Sequence, residues 1–377
     1  MTRIATTHVG SLPRPQHLTE LMYKHQEGAK ATDQLATAIS DAVREVVATQ
    51  LQIGIDVVSD GEMGKPGFVN YISERLDGFG GEAAPWTISD LAEAPELLVE
   101  QYGGEAGAHI LPANCQGPIS YTGQELLQRD IDNLLTALGD HPAAAAFMPA
   151  ASPGVITVCS PDLHYGDYET YLDAVADAMT EEYRTIVDAG LLLQLDCPDI
   201  PMAGHTEFWC KSEVKSRGLR AFAELHVAAI DRALQGIDPH KVRLHLCWGN
   251  YEGPHHLDAP LSELIEPVLA GDPTMISFEA ANPRHEHEWE VFETLSLPDD
   301  KIILPGVIDT LTNFVEHPRL VAQRIERFAR LVGPDRVIAS ADCGFGTFVG
   351  FGQVGAQVAA RKLESLVAGA GEASKRL

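Results

Sequence analysis

Two side chains that bind soft metal ions stand two positions apart in the segment His245-Leu246-Cys247. Side chains alternate between the two faces of a strand, so a strand here would direct His245 and Cys247 to the same side. Glu279 and Cys343 each end a later apolar run, and an imidazole, two thiolates and a carboxylate form a reasonable tetrahedral set for Zn²⁺. The competing interpretation is that His245 and Cys247 are ordinary buried core residues.

Such a site requires strands whose ends converge. Short apolar runs alternate along the chain with longer stretches of helical spacing, which is typical of a parallel sheet with crossover helices. We predict eight strands, at residues 4–10, 55–60, 155–160, 191–196, 242–248, 275–279, 301–307 and 336–341. The fold class is therefore predicted to be α/β, a (β/α)₈ TIM barrel, in which functional side chains lie at the carboxyl ends of the strands.

The length of 377 residues fits one such barrel. We expect residues 1–377 to form a single zinc-dependent barrel domain. Residues 78–153 are expected to be mostly an insertion, with a hairpin, between the second and third strands.

The charge balance excludes several classes of partner. Lys plus Arg number 27 against 54 Asp plus Glu, so the net charge of −27 repels nucleic acid and anionic membranes. We find no secretion-signal pattern and no run of 18 apolar residues, and we expect a cytoplasmic protein. The six cysteines then do not indicate a disulfide framework. We also expect a homo-oligomer.

Several motifs together resemble one known family. They are Thr6-Thr7-His8-Val9-Gly10-Ser11, Ser59-Asp60-Gly61-Glu62, Gln194-Leu195-Asp196, His245-Leu246-Cys247-Trp248-Gly249, Phe278-Glu279, Pro305-Gly306-Val307 and Asp342-Cys343-Gly344. The chain is similar over nearly its whole length to the catalytic C-terminal barrel of the cobalamin-independent methionine synthase superfamily. The resemblance implies that His245, Cys247, Glu279 and Cys343 hold a zinc ion, which activates a substrate thiol.

Two branches of that superfamily fit, and both alkylate a thiol. In the methyltransferase branch, homocysteine accepts a methyl group from a methyl-folate or methyl-corrinoid donor. The resemblance then assigns Glu62 and Asp196 to the amino group of the substrate and Ser11 to its carboxylate. In the other branch, epoxyalkane:coenzyme M transferase (2-hydroxypropyl-coenzyme M lyase), the thiolate of coenzyme M opens a small epoxide.

We favour the coenzyme M branch at this stage. In the folate-using synthases a His follows the Asp of the penultimate strand, whereas here Thr310 follows Asp309. The two acids Glu62 and Asp196 oppose this choice, because they suit an amino group better than a sulfonate.

Epoxide opening also needs a proton source and an anion pocket. Proton transfer by a positioned side chain typically contributes about 10²- to 10⁴-fold, and the candidates are His8, Tyr165 and His255 in predicted strand-end loops. Arg14 and Lys65 are the candidates for binding the sulfonate, and Asp309 is expected to face the substrate. Each of the three proton-transfer candidates can instead be a solvated loop residue.

Two other classes remain open. A zinc barrel can bind a thiol without turning it over, which would make this a non-catalytic binding or regulatory protein. The uroporphyrinogen-type decarboxylases of the same superfamily need no metal and use basic residues for several carboxylates. The acidic strand ends and the thiolates disfavour that class.

Overall fold

Parallel strands alternate with helices along the chain. The structure is a computed structural model that describes residues 3–26, 33–81, 83, 87–97, 113–139, 141, 145–350, 352 and 354–377. The strands within these residues are β1 (Ala5–Thr6), β2 (Val57–Val58), β3 (Leu76–Gly80), β4 (Asn114–Tyr121), β5 (Ala145–Ala151), β6 (Leu192–Asp196), β7 (Val242–Leu246), β8 (Met275–Phe278), β9 (Ile302–Ile308) and β10 (Ile338–Ala341).

The helices occupy the segments between these strands and after the last of them. Within the described residues they are α1 (Gln16–Gln26), α2 (Asp33–Ile53), α3 (Ser89–Ala92), α4 (Gln124–Leu138), α5 (Pro153–Cys159), α6 (Tyr168–Asp188), α7 (Lys211–Arg217), α8 (Leu219–Ala233), α9 (Leu261–Ala270), α10 (Pro318–Val332) and α11 (Ala356–Ser374). None of them combines the length and the apolar composition that a membrane-spanning helix needs.

Eight of the strands form one parallel sheet, with the hydrogen-bonding order β1-β10-β9-β8-β7-β6-β5-β2. This is the predicted α/β fold, a (β/α)₈ TIM barrel. Strands β6 and β7 pair in a register that places Asp196 opposite His245. Strands β3 and β4 form a separate antiparallel pair, which is inserted between the second and third strands of the barrel.

One predicted strand is wrong. Residues 155–159 belong to helix α5, and Ser160 is its C-cap. The side chain of Ser152 caps the first turn, because it accepts a hydrogen bond from the Val155 amide at 3.0 Å. Pro153 stands at the first helical position, where its missing N–H leaves no donor unsatisfied. The third barrel strand is β5, which lies inside the predicted 78–153 insertion. The insertion proper therefore ends before residue 145.

The chain divides into two compact units. The first comprises residues 1–68, 127–149 and 275–377, and the second comprises residues 69–126 and 150–274. Within the first unit, helix α10 packs on α11, and strands β8, β9 and β10 pair in turn. Within the second, α6 packs on α8, and β6 pairs with β7. The single-domain organisation stays a prediction.

All six cysteines are free thiols. Cys115, Cys159, Cys197 and Cys210 are buried, and burial raises the pKa of each of these four thiols. A thiol with a raised pKa is protonated at neutral pH and is a poor nucleophile. These four residues therefore pack as small apolar side chains.

A buried charge anchors the inserted hairpin in the second unit. The carboxylate of Glu182 on α6 accepts hydrogen bonds from the hydroxyls of Tyr71, at 2.9 Å, and Tyr121, at 2.7 Å. It also pairs with the Arg75 guanidinium, 3.1 Å away, and both charged side chains are almost fully buried. Since Arg75 directly precedes β3 and Tyr121 ends β4, one carboxylate ties both strands of the hairpin to α6.

Replacing this carboxylate should destabilise the protein strongly. We expect Glu182→Ala to lower the free energy of unfolding by about 3–5 kcal/mol, because it removes the anion that neutralises the buried Arg75 guanidinium. Chemical denaturation followed by circular dichroism measures the loss. The matched control is Glu169→Ala on the same helix, which breaks an exposed pair with Arg217 and should change the free energy by less than about 1 kcal/mol. Equal effects of the two variants would contradict this role of Glu182.

Candidate metal centre and substrate site

The end of β7 carries the first two candidate ligands. His245 lies within the strand and is 1% exposed, and Cys247 follows the last strand residue. Burial lowers the pKa of His245 to about 4, so the ring is neutral at pH 7 and keeps a lone pair for a metal. The Gly249 amide donates to the Cys247 sulfur at 3.4 Å. Gly249 has φ +105°, and a Cβ there would lie 2.7 Å from the Tyr251 ring, so only glycine makes this turn.

A hydrogen-bond network in the first unit places the other two candidates. Glu279 directly follows β8, and its Oε2 accepts a hydrogen bond from Asn282 Nδ2 at 2.8 Å. The same amide group donates to Asp342 Oδ2 at 3.1 Å, and the Ala280 and Ala281 amides both donate to Asp342 Oδ1 at 2.8 Å. Cys343 is the next residue after Asp342. The network thus orients Glu279 and fixes the backbone that carries Cys343.

Asp342 is buried, and burial raises its pKa to about 6. A Cβ at Gly306 would lie 2.0 Å from Asp342 Oδ1, so glycine is required where β9 passes this carboxylate. In the sequence, Asp342 is visible only as part of the motif Asp342-Cys343-Gly344, and no pattern marks Asn282 as a site residue. The signal that was available is the position of Asp342 immediately beside a predicted ligand.

The predicted metal ligands are divided between the two units. His245 and Cys247 lie at the end of β7 in the second unit, and Glu279 and Cys343 come after β8 and β10 in the first. An imidazole, two thiolates and a carboxylate are the donor types of a zinc site. That the four residues bind one ion stays a prediction.

Glu62 is a strained and incompletely hydrogen-bonded carboxylate after β2. Its backbone has φ +57°, a region that residues other than glycine seldom adopt. Its side chain is buried, and its Oε2 has no hydrogen-bond partner among the residues that the structure describes. Burial raises the pKa of Glu62 to about 6. A Cβ at Gly10 would lie 2.9 Å from Glu62 Oε1, so the glycine of the first motif makes room for this carboxylate.

Arg14 and Lys65 both donate to backbone carbonyl groups. The Arg14 guanidinium donates to the carbonyl oxygens of Gly346, at 2.6 Å, and of Glu62 and Lys65, at 2.9 Å each. The Lys65 ammonium donates to the Pro149 carbonyl. These bonds hold the loops that follow β1, β2 and β10 in the first unit. The predicted role of the two residues in binding a sulfonate gains no support from this geometry.

The three other predicted substrate-binding residues all accept hydrogen bonds within the protein. Ser11 Oγ accepts a hydrogen bond from the Gly346 amide at 3.4 Å. Asp196 Oδ1 accepts from Gln194 Nε2 at 2.9 Å on the same strand. Asp309 accepts hydrogen bonds from the amides of Leu311 and Thr312, at 2.8 Å each, so it shapes the turn after β9. The substrate-binding roles of all three stay predictions.

The three proton-transfer candidates are held by hydrogen bonds within the protein. His8 Nε2 lies 2.7 Å from Gln50 Oε1, and its Nδ1 accepts from the Gly10 amide at 3.2 Å. The Tyr165 hydroxyl accepts from the Ile119 amide of β4 at 3.0 Å. His255 contacts Asp258 and the Tyr251 carbonyl. These contacts give each residue a structural task, and the catalytic roles remain predictions.

Comparison with known proteins finds similar sequences. Residues 4–104 match the sequence profile described as the catalytic domain of the cobalamin-independent synthase. A protein named methionine synthase from Sulfolobus acidocaldarius is 26% identical over 349 residues, which cover 91% of this chain and 86% of that protein. Another, from Saccharolobus islandicus, is 26% identical over 370 residues, which cover 97% of this chain and 93% of that protein.

A solved structure supports the fold. It is described as a B12-independent methionine synthase from a Shewanella species in complex with selenomethionine, and it matches with a TM-score of 0.74 at 21% identity, covering 100% of this chain and 99% of that one. At this identity the match establishes the (β/α)₈ barrel alone. Along nearly its whole length the chain is similar in sequence to proteins named methionine synthase, and its residues 4–104 match the profile of the cobalamin-independent synthase catalytic domain.

Proposed function

We propose that this protein is a zinc-dependent methyltransferase that methylates the thiol of homocysteine. The names of the similar proteins support this choice over the coenzyme M branch. So do His245 and Cys247, two soft-metal ligands at the end of β7. The observation that carries the choice of thiol is the unpaired oxygen of the buried Glu62 carboxylate.

His245, Cys247 and Cys343 would hold the zinc ion, and the family resemblance adds Glu279 as the fourth ligand. Zinc bound there would keep a substrate thiol, whose pKa is about 8.5, in the thiolate form at neutral pH. The chain prepares its own ligands for this task. The neutral ring of His245 has a lone pair available, and Asn282 and Asp342 hold Glu279 in a fixed orientation.

Glu62 supports a substrate that carries an ammonium group. A buried carboxylate oxygen without a donor is unfavourable in the free protein, and a bound ammonium group would satisfy it with a charge-assisted hydrogen bond. The same carboxylate would repel the sulfonate of coenzyme M. Arg14 and Lys65, the basic residues expected to compensate that sulfonate, already donate to backbone carbonyls.

In the proposed reaction the carbon–sulfur bond of methionine forms as the bond between the methyl group and its donor breaks. The donor is a methyl-folate or a methyl-corrinoid. In the folate-using synthases that this chain resembles, a His after the corresponding Asp protonates the folate leaving group. Here Thr310 follows Asp309, so that His has no counterpart at this position. The test of function therefore includes both donors.

The function is tested with a matrix of thiols and donors. Homocysteine, 4-mercaptobutyrate (the same molecule without its amino group) and coenzyme M are each incubated with methyl-folate, methyl-corrinoid or epoxypropane, and the products are identified by mass spectrometry. We expect methionine from homocysteine, with kcat/KM at least about tenfold above that for 4-mercaptobutyrate. A hydroxypropyl thioether formed from coenzyme M and epoxypropane, without methionine, would overturn the proposal.

Removal of either thiolate should abolish zinc binding and methyl transfer together. We expect Cys247→Ser and Cys343→Ser to retain less than about a tenth of the zinc of the wild-type protein, because an alcohol is a far weaker zinc ligand than a thiolate. Metal analysis and the methionine assay measure both losses. Cys115→Ser, at a buried thiol of the inserted hairpin, is the control and should keep the metal. Full activity in a zinc-free protein would contradict the mechanism.

Glu62→Gln should weaken the binding of homocysteine specifically. Loss of a buried charge pair costs about 2–5 kcal/mol, so we expect the KM for homocysteine to rise roughly 30-fold or more. The KM for 4-mercaptobutyrate should stay within about twofold. In the wild type the KM for homocysteine should also rise as the pH falls below about 6, where Glu62 becomes protonated. Equal changes in KM for the two thiols would show that Glu62 does not bind the amino group.

The same substitution should stabilise the substrate-free protein. Folding raises the pKa of Glu62 from 4.5 to about 6, so ionisation of the folded carboxyl at higher pH costs about 2 kcal/mol. Glu62→Gln should therefore raise the free energy of unfolding by about that amount at pH 7.5. The gain should vanish below pH 4.5, where both states carry the proton. Glu45→Gln, at an exposed site on α2, should have no such effect.

A further inference from the structure

The second unit contains a cluster of buried ligand-type side chains that shares no residue with the proposed zinc site. Asp90 lies in α3, while His255 and Asp258 lie in the loop between β7 and α9. One ligand atom from each of the three lies within 4.8 Å of the other two. His205, which follows the turn Pro201–Gly204, faces the same group, with Nε2 3.5 Å from Asp258 Oδ1.

The hydrogen bonds of His255 suit a metal ligand. Its Nε2 lies 2.9 Å from the Tyr251 carbonyl, which only accepts, so this nitrogen carries a proton. The neutral ring then has its lone pair on Nδ1, which lies 2.8 Å from Asp258 Oδ2. A lone pair and a carboxylate oxygen this close share a cation, which is either a proton between them or a metal ion that binds both atoms from one side. Metal-binding histidines commonly donate their other N–H to a backbone carbonyl in this way.

The backbone of His255 supports a functional interpretation. Its φ is +52°, one of two positive values among the described residues other than glycine, and the other belongs to Glu62. Strain of this kind costs about 1–3 kcal/mol and persists only where the surroundings enforce it. Asp90 helps to do so, because its Oδ2 accepts hydrogen bonds from the His255 amide at 2.7 Å and the Tyr251 hydroxyl at 2.8 Å.

His205 is the independent observation that points to a ligand. Its side chain is 1% exposed, and neither ring nitrogen makes a hydrogen bond to any described residue. Burial lowers the pKa of His205, so its ring is neutral at pH 7. The separation of 3.5 Å from Asp258 Oδ1 is close to the distance of about 3.3 Å between two ligand atoms of a tetrahedral zinc ion, given zinc–ligand distances of about 2.0 Å.

We propose that His205, His255, Asp258 and Asp90 form a binding site for one divalent transition-metal ion of the zinc type. The ion takes the place of the proton between His255 Nδ1 and Asp258 Oδ2, and that proton is released to solvent. The two carboxylates then balance its charge of +2. Imidazole ligands favour zinc, cobalt or nickel over magnesium and calcium. Without thiolates, this site differs chemically from the group of His245, Cys247 and Cys343.

Cobalt(II) tests the proposal, because thiolate ligands add an intense charge-transfer band that nitrogen and oxygen ligands lack. The full-length variant Cys247→Ser/Cys343→Ser removes the thiolates of the other site. We expect this background to bind about one cobalt ion per chain, with weak visible bands, no thiolate band and release of about one proton. Addition of His205→Ala should lower the affinity at least about 100-fold. The control is His256→Ala, at an exposed neighbour paired with Glu93, which should leave binding intact.

Two results would overturn the proposal. One is a background variant that retains no cobalt or zinc in equilibrium dialysis, and the other is binding that survives His205→Ala unchanged. If circular dichroism shows that His205→Ala is unfolded, His205→Gln replaces it, and the same change in affinity is required. No step of this test measures methyl transfer. A protein that fails to methylate homocysteine could therefore still bind cobalt at this site, and a protein that fails to bind cobalt here could still methylate homocysteine.

Discussion

Removal of ionisable side chains from water is the constraint around which the candidate sites of this protein are organised. Glu62 and Asp342 are buried carboxyl groups, and burial raises the pKa of each to about 6, while it lowers the pKa of His245 to about 4. A buried polar group is tolerated only where the protein replaces the hydrogen bonds that water would make. Many of the surrounding hydrogen bonds meet that requirement.

The buried side chains of Asp342 and Arg14 each have several hydrogen-bond partners. Two consecutive backbone amides and the side chain of Asn282 donate to Asp342. The guanidinium of Arg14 donates to three backbone carbonyls, so a buried cation becomes a brace between loops. The carboxylate of Glu62 is less completely satisfied, because its Oε2 has no donor among the described residues and its backbone is strained. This deficit is the basis of the substrate-binding role proposed for Glu62.

The two clusters of ligand-type side chains illustrate how local chain geometry selects chemistry. His245 and Cys247 stand near the end of one strand, where the pleat sends residues two apart to one side. The cluster around His255 is built instead from a short helix, a turn and a loop, and it presents nitrogen and oxygen atoms without sulfur. The first offers the ligand types that the proposed zinc chemistry needs. The second is suited to fixing irregular backbone in place, because it joins segments far apart in sequence.

The sequence by itself determined the alternation of strands and helices, hence the barrel, because hydrophobic periodicity and chain order are local properties. It also determined that His245 and Cys247 share a side, since strand geometry alone dictates it. The β-branched run at residues 155–160 predicted a strand, and that prediction is wrong. A helix forms there because Ser152 and Pro153 are a helix start signal that outweighs the β-branched run.

Only the tertiary structure decided which ionisable groups lack partners. Arg14 meets the Gly346 carbonyl across 332 residues, and His205 meets Asp258 across 53, and no local pattern encodes such encounters. The identity of Glu62 was visible in a motif, but its missing hydrogen bond was not. A hydrogen-bond deficit belongs to the packed environment of a residue, and that environment exists only after the chain has folded.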